Sequence, residues 1–109
     1  MQAELRIGWT TIGSQEAGEK LARDLVGAGL AACVQIESLV GSIYRWEGAV
    51  RQDPEWRLTV KFSADKADCL EAWINEKHPY ACPQWIVVRP EQVSAGYLNW
   101  ATGQGPLGE

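Results

Sequence analysis

The chain has 109 residues, 46% of them hydrophobic and 22% charged, with a formal net charge of -4. That balance excludes a disordered chain and suits a single domain with a modest core. With no basic cluster to attract a phosphate backbone and no apolar run long enough to cross a bilayer, neither nucleic acid nor a membrane is expected as a partner.

Leu5, Ile7 and Trp9 alternate with Glu4, Arg6 and Thr10, which predicts a first strand burying its apolar set. Ser14 then caps a helix with Ala17, Leu21, Leu25 and Ala28 on one face. Glu16 to Lys20 and Glu19 to Arg23 are its i,i+4 pairs, and Gly27 and Gly29 end it. A second strand runs from Ala31 to Ile36 and continues, after a bend near Gly41, to Trp46. Glu47-Gly48 reads as a hairpin turn, and the chain returns through Trp56, Leu58, Val60 and Phe62. Pro54 cannot donate to a ladder and so marks a bulge or an edge. Ser63 opens a second helix with Ala67, Leu70, Trp73 and Ile74 on one side, stopped by Pro79. A fourth strand over Trp85–Val88 and a short helix over Tyr97–Ala101, behind Ser94, complete the chain.

The fold class expected is α+β, a ferredoxin-like β-α-β-β-α-β sandwich with a short C-terminal helix. One domain spans 1–109, with an ordered core over about 4–101 and a flexible tail over 102–109. Both main helices cover one sheet face, leaving the other face and the edges open, and such edges invite strand pairing with another copy. Tyr44 and Trp46 near the ribbon tip are poorly covered by so short a chain. Six tryptophans also point to interfaces.

Cys33, Cys69 and Cys82 are odd in number and lack a C-x-x-C pair, so reduced thiols are expected, and the first residues alternate charged and apolar types where a signal peptide would be continuously apolar, so the expected location is cytoplasmic. Cys33 reads as a small packed hydrophobe, and Cys82 lies in a loop that could approach His78. His78, at a helix end, serves either to satisfy terminal carbonyls or as a ligand. The sequence holds one histidine, no G-x-S-x-G, no phosphate-binding loop and no carboxylate pair beside an obvious substrate element, so no enzyme is expected.

L-A-A-C-V at Leu30–Val34, S-I-Y-R-W-E-G at Ser42–Gly48, Lys61, H-P-Y at His78–Tyr80 and Y-L-N-W at Tyr97–Trp100 together resemble the CutA divalent-cation tolerance proteins, in order and spacing, from about Arg6 to Trp100. The resemblance implies a ferredoxin-like subunit in a homotrimer built by inter-subunit strand pairing, similar in architecture to trimeric PII signalling proteins. Tyr44, Trp46 and Trp100 are then trimer-interface residues. It also implies a role in tolerance of copper or another divalent cation. Where some members carry copper ligands, this chain has Thr10, Lys77 and His78, leaving His78 as the metal candidate, and Gln84 replaces an acidic residue. A cleft between subunits involving Lys61, His78, Tyr80 and Gln84 is the implied place for a small ligand or anion, with signalling to a protein partner as the alternative function.

Overall fold

The structure, a computed structural model, describes residues 3–103, the side chain of Leu39 excepted. Its elements are β1 (Leu5–Ile12), α1 (Gln15–Gly27), β2 (Cys33–Trp46), β3 (Ala49–Ser63), α2 (Ala67–Lys77), β4 (Ile86–Val88) and α3 (Ala95–Thr102), with a 3-10 turn over Ala64–Lys66 leading into α2. The β-α-β-β-α-β order expected from the sequence is therefore present in an α+β fold, and the antiparallel sheet runs β2-β3-β1-β4. Of the tail expected over 102–109, Thr102 closes α3 instead, its hydroxyl donating to the Leu98 carbonyl at 2.7 Å. Residues 104–109 lie outside the described residues.

α1 forms where Ser14 accepts a hydrogen bond from the Ala17 N–H at 3.2 Å, and Gly29, at φ 74°, takes the left-handed position that follows its end. Leu21 and Leu25 are buried as expected, but Ala28 is the exposed C-cap, and Lys20 reaches forward to Asp24 at 2.7 Å. Leu70 and Ile74 of α2 meet them over Leu58, Val60 and Phe62 of β3, and these residues make one core with Ile12 and Ala31.

The face assigned to β1 needs correction. Its register pairs Gly8 with Val60 and Thr10 with Leu58, so Gly8, Thr10 and Ile12 face the helices. Ile7 and Trp9 lie on the opposite face, half-buried, where Trp9 Nε1 donates to Thr59 Oγ1 at 3.1 Å. Apolar alternation cannot distinguish the faces of a strand covered on both sides. α3 supplies the second cover, placing the Tyr97 ring 5.4 Å from Lys61 Nζ.

The expected bend in β2 is a bulge between Glu37 and Val40, earlier than Gly41. Glu37 pairs with Arg57 and Val40 with Glu55, which sets Ser38 and Leu39 against Trp56 alone. A charge-assisted pair, Arg57 to Glu37 at 2.7 Å, closes the ladder on its near side. Beyond the bulge the β2–β3 ribbon leaves the body, since β1 pairing of β3 ends at Trp56. Pro54 thus sits on an edge, consistent with its missing donor. The ribbon stretches the chain to 47 × 31 × 23 Å, with a radius of gyration of 14.8 Å, against about 13 Å for a compact domain of this length. Glu47 and Gly48 turn its tip with φ 50° and 77°, the two positive values of a two-residue hairpin loop.

Candidate functional site

At the base of the ribbon lies a cleft of about 910 Å³ between β2, β3, the end of β1 and the loop after α2. Two carboxylates face it. Asp53 and Glu55 stand two apart on β3, and the register sets Ser42 opposite Asp53. The Tyr44 hydroxyl donates to Asp53 Oδ2, and the Tyr80 hydroxyl donates to Glu55 Oε2 at 2.8 Å. Each phenol consequently titrates above its ordinary range. For Tyr44 the hydrogen bond to Asp53 is the main cause, whereas Tyr80 is pushed up to about 12 chiefly by burial and then by its bond to Glu55.

His78 holds the loop in place. It caps α2, and its ring is buried against β1, where Nε2 meets the Thr11 carbonyl at 2.9 Å while Nδ1 accepts the Tyr80 N–H at 3.0 Å. Accepting at Nδ1 fixes the neutral tautomer that donates from Nε2. The ring therefore bonds to the neighbouring strand, in place of the helix-terminal carbonyls expected for it. The Tyr80 ring packs edge-on at 4.8 Å, so this histidine sets the aromatic wall of the cleft.

Burial pulls the His78 pKa below its ordinary value, against the raising effects of the Thr11 carbonyl and the Glu55 charge. The unfolded chain then binds a proton more readily than the folded one, so the stability from neutral His78 is present above about pH 6.5 and is lost as pH falls through the lowered folded value. Urea denaturation between pH 7 and 5 is expected to show this acid loss in the parent and a shallower one in His78→Gln. Equal slopes would contradict the assignment.

Within the single chain Tyr80 and Gln84 line this cleft together with Tyr44 and Trp46, and His78 stands behind its wall. Lys61 does not line it in the single chain. It is six residues from Glu55 along β3, about 20 Å at roughly 3.3 Å per residue, in register with Cys33 and Ile7. Trp100 packs beside Tyr97 on α3, ring centroids 5.6 Å apart. Asp53 and Glu55 were missed. A D-P-E run places two acids on the same side of a strand, but nothing local tells which element they will face.

The copper positions do not make a donor set within one chain. Thr10 Oγ1 is a buried hydroxyl on the helix side, the Lys77 ammonium lies 3.6 Å from Glu76, and both His78 nitrogens are engaged. Among the described residues no three His, Cys, Asp or Glu side chains converge as a metal site would require. All three cysteines are free thiols; Cys82 lines the cleft and Cys33 is half-buried on the α3 side of the sheet.

A family model described as CutA1 divalent ion tolerance protein matches residues 7–104. Among relatives, the divalent-cation tolerance protein CutA of Thermus thermophilus is 36% identical over 90 residues, covering 83% of this chain and 87% of the relative. The chloroplastic protein CutA of Arabidopsis thaliana is 37% identical over 92 residues, covering 84% of this chain. The chain spans about half the length of the two plant relatives, 50% and 52%. The solved structure of CutA from Synechococcus elongatus superimposes with a TM-score of 0.87 at 37% identity, covering 92% of this chain and 88% of that one. No described helix is long and apolar enough to cross a membrane.

Proposed function

Because the chain belongs to the CutA1 divalent ion tolerance family, we propose that it acts in divalent metal-ion tolerance as a non-enzymatic, cytoplasmic homotrimer with a ferredoxin-like subunit. The observation behind the assembly is the uncovered ribbon. Ile43 and Val50 are 68% and 77% exposed, Trp46 is 54% exposed, and β4 leaves an edge carrying exposed Ile86, Val87 and Val88. Apolar ribbon faces and a short bare edge suit strand pairing between copies, and a ring of three closes without growing into a filament. Sedimentation equilibrium at micromolar concentration is expected to give three times the chain mass, with Trp46→Ala shifting the protein toward smaller species. A stable single-chain species in the parent would sink the assembly.

A second reading, a PII-like regulator that binds a small ligand and signals to a protein partner, is favoured by the cleft itself. Its volume of about 910 Å³ falls within the range of small-molecule sites. Copper, by contrast, reaches either nitrogen of His78 only by breaking a hydrogen bond to Thr11 or Tyr80. Calorimetric titration with copper is accordingly expected to show His78→Ala binding as the parent does. A large loss in the variant would restore the imidazole as a ligand.

A further inference from the structure

We propose that Arg89 of the partner subunit completes the cleft, its guanidinium seated on Asp53 and Glu55. This rests on the reading of the protein as a ring of three copies joined by strand pairing, and it names the side chain that the covering copy brings. Covering the ribbon takes both carboxylates out of water, where a negative charge needs a cation and further donors. Within its own chain each accepts a single tyrosine hydroxyl, and neither has an ion pair among the described residues. None of the described lining residues is basic, and Arg51, across the ladder from Tyr44, forms no ion pair with either carboxylate. The missing charge therefore comes from another copy.

Strand direction selects the residue. The sheet runs β2-β3-β1-β4, so β2 and β4 are its two free edges, and head-to-tail pairing of β2 with the next copy's β4 uses both and closes a ring. Every ladder in the sheet is antiparallel, the more stable pairing per residue. Carried across to the next copy, that direction points the C-terminal end of β4 at the base of the ribbon and away from its tip. Arg89 is the residue that follows β4 there, exposed and without a hydrogen bond or ion pair among the described residues of its own chain. Setting exposed Val88 of the partner subunit opposite exposed Ile43 brings the partner's Val87 opposite Tyr44 and the partner's Arg89 opposite Ser42. Ser42 is in turn opposite Asp53, and directly opposed residues share a face, so the arginine lies on the carboxylate side. A slip of one residue would turn it to the other face. Two strand spacings, roughly 9–10 Å, separate its Cα from that of Asp53, a gap that an extended arginine and an aspartate bridge together. Its five donors serve both carboxylates, each of which has about four acceptor positions.

The test is sedimentation equilibrium of the full chain over a dilution series at pH 7. Arg89→Gln is expected to raise the concentration at which the assembly comes apart at least about tenfold, the order of effect of stripping one partner from a covered charge pair. Arg89→Glu raises it further by setting like charges together, and adding Asp53→Lys to Arg89→Glu recovers most of the loss. Because Arg89 makes no such bond among the described residues of its own chain, these losses report on assembly and not on the fold of the single chain. If Arg89→Gln and Arg89→Glu dissociate as the parent does, or if adding Asp53→Lys brings no recovery, the arginine site is overturned while the ring of three stands. A parent that sediments as a single chain overturns the assembly, and the proposal with it.

Discussion

Replacing Phe62 with alanine is expected to cost about 3–5 kcal/mol, the largest loss from a single truncation in this chain. Phe62 is fully buried on the helix side of β3, its ring centroid 6.1 Å from that of Trp85, in the core shared with Leu25, Leu70 and Ile74. The cavity left behind is walled by strands on one side and two helices on the other, so little of it can collapse. Urea denaturation at one fixed protein concentration measures the loss, since the proposed assembly would also contribute to apparent stability. A cost below about 1 kcal/mol, the value of an ordinary substitution, would show that this part of the core is not packed as described.

Gly8→Val is expected to cost about 3 kcal/mol, the upper part of the range for overpacking. A Cβ at Gly8 lies 2.3 Å from Trp85 Cη2 and within 2.8 Å of two further ring atoms. The indole lies flat over the bare backbone of β1, and its size leaves it no flexible end to swing aside. Replacing a strand glycine normally gains roughly 0.5–1 kcal/mol, so the clash decides the sign. Combining Gly8→Val with Trp85→Leu should cost less than the sum of the single changes, a coupling that a double-mutant cycle reads directly. Additive losses would mean that the two positions do not touch.

Gly8 shows why part of the fold was legible and part was not. The helices were readable because Ser14, Gly29 and Pro79 punctuate apolar repeats at helical spacing, and these signals act within a few residues. Gly8 and Trp85 are 77 positions apart, counting from the chain numbering, and neither carries a local sign of the other. The same holds for the inverted face of β1, where Ile7 and Trp9 satisfied an alternating pattern that α3, near the far end of the chain, makes ambiguous. Among the candidate site residues, Tyr80 and Gln84 do line a common cleft with Tyr44 and Trp46, whereas Lys61 falls elsewhere on β3 and the two carboxylates had no local signature.

By itself the sequence determined the succession of elements, the hairpin turn at Glu47-Gly48 and the family, because periodicity, capping and short motifs are encoded by near neighbours. Only the tertiary structure decided which way the ribbon presents its side chains. One extra residue in β2 reverses the alternation between Ile36, in register with Leu58, and Tyr44, in register with Arg51. A strand has a period of two, so that single insertion moves Ser42, Tyr44 and Trp46 to the side of Asp53 and Glu55 and makes a cleft from residues that local pattern had left unconnected.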